Sequence, residues 1–437
     1  MIEQKKKFTK NPYQPKPEPK PGPSIFPPAW NDFIDEVIPS LVKKTYSPRD
    51  RWKDKPFSKE DAKFFFKGIE ELSELFTDER PKGMPSYFQH SKFRSSYLLY
   101  FLPFQAAKFL TLFKLHPEAI RAALKHGSEK GTLRIMDMGA GPGTASLAFV
   151  LLLLSSEYRN LPLPPIIEFH WFDTNLTIMK DGMSILDLLL AQYPELQEKV
   201  RINTYEQPWW KAPFEIQEDA SLVFMGHVLN ENPAVLRQQV GLPFWKKLFQ
   251  KAQGGGVLMV EPAAKQSSQL LSQLRDEFIE SNLVKNSPTQ IWGPCLHAGK
   301  CPLAQGRDWC HFSVPTQIPG QWFKTFSLGL GSERQWVKYS YLWFASTAFP
   351  SPEPKEDLRR VISDPLQTAN NQKTILLCEP TTPRRWPMPP HQNLYRGDLI
   401  HFTQKPSPIQ PKVLIDPSNN KDSKKSQNRF SKNRFRK

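Results

Sequence analysis

Asp137, Gly139, Gly141 and Gly143 stand at alternate positions in the run LRIMDMGAGPGT, from Leu133 to Thr144. A residue without a Cβ reaches positive φ at no steric cost, so three in alternation let a backbone turn sharply and pass close to a ligand. The apolar run before them (Leu133, Ile135, Met136, Met138) reads as a strand buried in a parallel sheet, and SLAFVLLLLSS after Thr144 reads as a buried helix. Strand, glycine turn and helix N-terminus are the parts of a nucleotide-binding crevice at the carboxyl edge of a sheet. A second apolar run, Ile166 to Phe172, ends on Asp173, thirty residues beyond Gly143. A carboxylate there can accept hydrogen bonds from both hydroxyls of a ribose.

The second group with chemistry is sulfur. Cys295, Cys301 and Cys310 crowd into WGPCLHAGKCPLAQGRDWCHF, and Cys378 follows in the apolar run TILLCEP. Idle cysteines are usually scattered singly in cores, whereas three among Gly, Pro and Lys in one loop point to metal. Nothing reads as a secretory signal or transit peptide, which argues against a disulfide framework. The C-x5-C and C-x8-C spacings fit no zinc ribbon, whose ligands come in C-x2-4-C knuckles. Clustered thiolates completed by one distant thiolate suit an iron–sulfur cluster, while His297 and His311 keep zinc open. No residue announces itself as a nucleophile or general base. His227, Asn230 and Glu231 fall just past a fourth predicted strand, where they line a reacting centre or form a hydrogen-bonded loop without chemistry.

These residues need a scaffold, and the pattern supplies an α/β one. After Asp173, helical periodicity over Ile178–Tyr193, a strand at Val200–Thr204, a strand at Ser221–Gly226, a helix over Pro233–Gln253 and a strand at Val257–Val260 alternate as βαβ units of a parallel sheet. Trp336–Ser346 reads as a late strand able to finish that sheet. Upstream, Trp30, Phe33, Ile34, Val37 and Ile38 recur at helical spacing, and Ser58 with Asp61 makes a capping box for a helix carrying Phe65, Ile69, Leu72 and Phe76. Further helical patterns cover Tyr97–Phe113 and Pro117–His126, with Arg94, Tyr97, Tyr100 and Lys108 read as an amphipathic surface.

The chain has 437 residues and a formal charge of +16, with a pI near 9.5. That excess favours a polyanionic partner, nucleic acid or ribosome, over an acidic small substrate. From Ser418 onward eight Lys or Arg face a single Asp, with Phe430 and Phe435 among the arginines, a composition suited to phosphate contact and base stacking. No uninterrupted apolar run of about 18 residues is present, so no membrane partner is expected. A monomer is the expectation.

The spacing D-x-G-x-G-x-G resembles motif one of class I S-adenosylmethionine-dependent methyltransferases more than the nicotinamide G-x-G-x-x-G. With MDMGAGPGT, HVLNE, VLMVEP and above all PCLHAGKCPL…DWCHF, the chain resembles the mitochondrial small-ribosomal-subunit methyltransferase-like proteins and their bacterial relatives, from about Tyr97 to Phe402. The resemblance implies a class I methyltransferase (Rossmann-like) fold and association with the small ribosomal subunit and its rRNA during assembly. It also implies a [4Fe-4S] cluster on Cys295, Cys301, Cys310 and Cys378, with zinc as the alternative. The expected layout is a Lys/Pro-rich arm (1–29), a helical N-terminal domain (30–130), the methyltransferase-like domain (131–348) with its cysteine loop at 292–312, a small metal-tied β unit (355–403) and a basic tail (404–437). S-adenosylmethionine is expected at Asp137, Gly139, Gly141, Gly143 and Asp173. The cytoplasm is the expected compartment, with the mitochondrial matrix as the alternative. An active rRNA methyltransferase stands as the alternative to an assembly factor that uses the fold as a scaffold.

Overall fold

The computed structural model describes residues 24–28, 30–48, 53–77, 86–231, 240–281, 289–331, 336–346, 358–368, 370, 372–380, 382–388 and 394–401. The chain divides into two compact units, 1–400 and 401–437, and the elements below belong to the first. The arm up to residue 23, the linker at 350–354 and the basic tail from 404 lie outside the described residues.

Among the described residues, four α-helices precede the sheet: α1 (30–46, with a π turn at Phe33–Val37), α2 (Lys59–Thr77), α3 (Ser91–Leu115, with a π turn at Tyr97–Phe101) and α4 (Pro117–Lys130). The capping box forms as its spacing predicts. Ser58 donates from N and Oγ to Asp61 Oδ2, each at 2.8 Å, and Asp61 N donates back to Ser58 Oγ at 3.3 Å. The same carboxylate oxygen accepts from Lys43 Nζ at 2.7 Å in a buried ion pair that fastens α1 to α2. Helix α3 is long and apolar enough to cross a membrane, although Gln105 and Lys108 interrupt its apolar run; 83% of that window is buried inside the protein. Its Phe113 ring lies 5.8 Å from Phe149 and 5.3 Å from Phe224, so the apolar faces are spent on the core.

The main sheet contains β1 (Thr132–Met138), β2 (Ile166–Asp173), β3 (Val200–Glu206), β4 (Ala220–Gly226), β5 (Ala252–Glu261), β6 (Thr289–Gly293), β7 (Phe312–Pro315) and β8 (Trp336–Ser346). Its order is β3-β2-β1-β4-β5-β8-β6, with β7 also paired to β8. Strands β1 to β5 are mutually parallel, and β8 runs antiparallel to both β5 and β6. This is the expected Rossmann-like class I methyltransferase sheet, with one antiparallel strand inserted before the last. Strand β8 does not finish it at an edge; buried Tyr341, Trp343 and Phe344 place it inside. The chain reverses direction across the sheet between β1 and β4, so a crevice opens at their carboxyl ends. Helices α5 (Thr144–Leu153) and α6 (Leu176–Leu190) follow β1 and β2. Every residue of α5 is buried, as its unbroken apolar run predicts.

One boundary differs from the sequence expectation. The helix predicted over 233–253 is Leu242–Lys251 (α7), with 232–239 outside the described residues, and β5 starts at Ala252 rather than Val257. The reason lies in Gly254 and Gly255. A Cβ on the first would sit 2.6 Å from the Ser221 carbonyl oxygen, and one on the second 2.5 Å from Leu222 and 2.8 Å from the Ala119 carbonyl oxygen. These glycines allow β4 and α4 to approach, so what reads as a turn is strand.

Beyond β8, β9 (Leu358–Arg360) precedes a three-stranded antiparallel sheet of β10 (Leu366–Gln367), β11 (Lys373–Leu377) and β12 (Arg384–Pro387), which ends its central strand next to Cys378.

Candidate functional site

Gly139, Gly141 and Gly143 all have positive φ, at 72°, 53° and 67°. The backbone N–H groups of Gly139 and Ala140 both donate to the Phe172 carbonyl, at 2.7 and 3.0 Å, so the turn is sewn onto the end of β2. Gly141 N donates to Asp173 Oδ2 at 2.9 Å, and Asn175 N donates to Asp173 Oδ1 at 2.9 Å. Asn175 then caps α6 by accepting from Ile178 N. Burial raises the Asp173 carboxyl, while the N–H of Gly141 and that of Asn175 oppose the rise. The aspartate thus sits at the junction of both loops, its carboxylate held by the backbone N–H groups of Gly141, Asn175 and Thr174.

The glycines differ in what they make room for. A Cβ on Gly139 would meet Val228 Cγ1 at 2.0 Å, and one on Gly143 would meet Trp171 Cζ2 at 2.1 Å; on Gly141 it would touch Phe88 at 3.4 Å. The expectation that all three clear space for a ligand is therefore corrected: two admit other parts of the protein. Asp137 is buried beneath the turn, where Oδ2 accepts from Ser146 Oγ at 2.7 Å, and Trp171 Nε1 donates to that hydroxyl at 2.9 Å. Burial pushes the Asp137 carboxyl up to about 7.

A cavity of about 400 Å³ lies over the turn. Asp137, Gly139, Ala140, Gly141, Thr144 and Asp173 form its floor. Its roof is aromatic. Tyr87, Phe88 and Tyr97, with Phe76 and Phe101, are interlocked at ring separations of 4.3 to 6.0 Å. Arg94 holds the roof down: it donates to the carbonyls of Phe88 and Gln89 at 2.8 and 3.2 Å and to Tyr46 Oη at 3.1 Å, and it pairs with Asp181 on α6. Trp209 and Trp210 form a wall after β3.

The polar end of the cavity carries Gln105, Lys108, His227, Asn230 and Glu231. His227 has φ 62°, the positive-φ non-glycine among the described residues, and its Nε2 lies 3.4 Å from Lys108 Nζ. Tyr87 Oη donates to Glu231 Oε1 at 3.2 Å, joining roof to loop. Gln105 Oε1 and Asn230 Oδ1 are buried with no hydrogen-bond partner among the described residues. Glu261, at the end of β5, accepts from Leu229 N at 2.9 Å and so holds this loop. Burial pushes its carboxyl up to about 8; the Leu229 N–H and Lys108 oppose the rise, and Glu231 adds to it. A buried acid of this kind stabilises the fold in its neutral form, fully below its ordinary 4.5 and with loss as pH rises through about 8. Glu261→Gln, neutral at every pH, is expected to match the native protein near pH 5 and to exceed its stability by about 1–3 kcal/mol at pH 9. Urea unfolding at both values tests this, and parallel pH dependence in the two proteins would assign the titration elsewhere.

The four cysteines share one neighbourhood. Burial pushes Cys378 up to about 12, with Cys295 and Cys301 adding to the rise. Cys310 is raised well above its ordinary value by burial and by Cys295, Cys301 and Cys378 together. Arg360 opposes the rise at Cys310, and Arg275 and Arg360 oppose it at Cys378. Arg360 also bridges the segments, donating from Nε to the Pro294 carbonyl at 2.6 Å, while Cys378 N donates to the Arg360 carbonyl at 2.9 Å. His297 Nε2 lies 3.5 Å from Cys378 Sγ. His311 is turned toward Arg396, with Nδ1 at 3.4 Å from Arg396 Nη1. Among the described residues no three His, Cys, Asp or Glu side chains gather around a single ion position. Trp309 Nε1 of the loop donates to the Ala263 carbonyl at 2.8 Å, one residue past the cavity-lining Pro262.

A family model described as the mitochondrial small ribosomal subunit Rsm22 matches residues 118–385. The chain belongs to the Rsm22 family. No match was found among curated proteins. Solved structures similar to this Rsm22-family chain include MnmC2 from Aquifex aeolicus (16% identity, 53% of this chain and 59% of that one, TM-score 0.27). An O-methyltransferase family protein from Burkholderia thailandensis (12%, 71% and 72%, 0.27) and a methyltransferase from Geobacter sulfurreducens (13%, 43% and 82%, 0.23) are also similar. The chain spans little more than half the length of the first of these.

In this Rsm22-family chain the structure brings Asp137, Gly139, Gly141 and Asp173 to one cavity, leaves Gly143 against Trp171 and off its lining, and adds His227, Asn230 and Glu231 to it. The helix residues read as amphipathic surface are reassigned. Tyr97, Tyr100 and Lys108 are buried or nearly so, and Tyr97 and Lys108 line the cavity. Sequence reasoning passed over Tyr87, Phe88, Gln105 and the Trp209–Trp210 pair. Only the tryptophan doublet carried a signal: two large aromatics in a loop at the carboxyl end of a strand.

Proposed function

We propose that the chain is a small-ribosomal-subunit protein that binds S-adenosylmethionine on the glycine turn, holds a structural [4Fe-4S] cluster on Cys295, Cys301, Cys310 and Cys378, and acts on subunit assembly by binding rRNA. The observation that carries the cofactor reading is Asp173 in the lining of an aromatic-walled cavity, with the unpartnered acceptors of Gln105 and Asn230 also lining it. In this reading Asp173 accepts from the ribose hydroxyls, the backbone of the turn meets the amino-acid portion, and the aromatic walls take the adenine. The bound cofactor would offer an electrophilic methyl group. Asp173→Ala is expected to weaken its binding by about 1–3 kcal/mol, roughly ten- to hundred-fold, by calorimetry. An unchanged affinity would move the site.

The donor set fits a cluster. Burial and neighbouring sulfurs raise Cys301, Cys310 and Cys378, with Arg275 and Arg360 nearby, so a polycation that replaced their protons would suit the set. The C-x5-C and C-x8-C spacings with one distant fourth thiolate support iron–sulfur over zinc. The family's mitochondrial description favours the matrix over the cytoplasm. For rRNA, affinity is expected to fall steeply with salt, and removing 418–437 should flatten that slope; an equal slope would leave the tail a solubilising device.

A second reading, an active rRNA methyltransferase, draws on the polar groups Lys108, His227, Asn230 and Glu231 at the end of the cavity. Methyl transfer from labelled cofactor to isolated small-subunit particles decides between them. Incorporation by the native chain and not by Gly141→Arg favours the enzyme, and none by either favours the scaffold.

A further inference from the structure

Helix α8 (Lys265–Glu280) lies against the cysteine loop, and one residue on its buried side has no place in an apolar stripe. Leu271, Ser272, Arg275 and Phe278 recur at helical spacing and are buried, Arg275 with a side chain only 1% exposed. A buried guanidinium needs partners for its donors, and all those of Arg275 concern the loop. Nε donates to Cys295 Sγ at 3.1 Å, and Nη2 donates to the His297 carbonyl at 2.7 Å. Nη1 pairs with Asp276, whose carboxylate accepts from Cys301 N at 3.0 and 3.1 Å. Gln273 Nε2 donates to the Ala304 carbonyl at 3.4 Å, and Gln269 Nε2 to the Gly306 carbonyl at 3.1 Å.

Resting on the cluster reading above, we propose that Arg275 is a positioning residue for the cluster: it hydrogen-bonds the Cys295 sulfur and, through Asp276, fixes Cys301, supplying the buried positive charge that lets the thiolates assemble and tunes the reduction potential of the metal they hold. An N–H donor and a guanidinium beside a ligand sulfur, its charge offset in part by Asp276, favour the more negative, reduced state and so raise the potential. They also hold two of the four ligands in place before metal arrives, which slows its escape.

The test uses the full chain, purified anaerobically, as native protein, Arg275→Lys and Arg275→Met. Two readouts are taken: the rate at which iron passes to a ferrous chelator, and the midpoint potential from a dye-mediated titration followed by the electron spin resonance of the reduced cluster. Arg275→Met is expected to lose iron at least ten-fold faster and to show a lower potential. Arg275→Lys, which keeps the charge without the Nε donor, should recover much of the potential while still losing iron faster than the native chain. Should Arg275→Met not accumulate, the lysine variant alone decides. A residue that only packs the helix would change iron loss and leave the potential of both variants at the native value; that result, or native behaviour in both readouts, overturns the proposal. A native protein without iron would instead bring down the cluster reading beneath it.

Discussion

Replacing Cys378 by Ser is expected to bleach the protein and to release the β unit that follows residue 358. Cys378 follows the end of β11, half-buried near the other three cysteines, and the unit that carries it has short strands with a small buried set, Val361, Ile362, Ile375 and Leu377. Its fastening to the rest of the chain includes Arg360 to the Pro294 carbonyl, Arg396 to Asp308 at 3.6 Å, and the Tyr395 ring 5.0 Å from Trp336. On the proposed reading, a metal that ties so small a unit to the loop would supply stability beyond what its own core provides. Structural metal sites can contribute on the order of 10 kcal/mol, so losing one of four ligands should exceed any single packing change in this region. Limited proteolysis should then cut between β9 and β12 in the variant and spare the native protein. Equal cleavage in both would mean that the β unit folds without the metal.

Gly143→Ala is expected to destabilise the fold by about 3 kcal/mol or more, and Gly141→Ala by about 1 kcal/mol. Both require an alanine at positive φ, but the added methyl meets different things. At Gly143 it lands 2.1 Å from the Trp171 ring, which is fully buried and cannot retreat without dropping its bond to Ser146 Oγ and, with it, the Ser146–Asp137 contact beneath the turn. At Gly141 it reaches Phe88 at 3.4 Å, an ordinary contact with the roof. Gly141→Ala should instead show its cost in cofactor affinity. Denaturant unfolding of both variants checks the ordering, and equal losses would contradict the packing account.

The glycine turn was legible because its geometry is local: three residues without side chains, a strand before and a helix after, with an acid at the next strand's end. What those glycines accommodate was not legible, because Val228 and Trp171 reach them only through the sheet order. The roof was invisible for the same reason. Tyr87 and Phe88 belong to a short turn before α3, held over the cavity by partners far along the chain, Asp181 through Arg94 and Glu231 through Tyr87. Lys108 was misread because periodicity reports that a helix has two faces without saying what covers the polar one. The cysteines were legible as chemistry from crowding and composition, while their common neighbourhood depended on β11 returning to the loop. Arg275 left a faint trace, a charged residue in the apolar stripe of α8.

Metal and sulfide content of the anaerobically purified full-length protein tests the central claim most directly. The account predicts a brown protein with broad absorbance near ~400 nm and about four irons and four acid-labile sulfides per chain, as a [4Fe-4S] cluster on four thiolates requires. A colourless protein with about one zinc per chain and no iron or sulfide would contradict it.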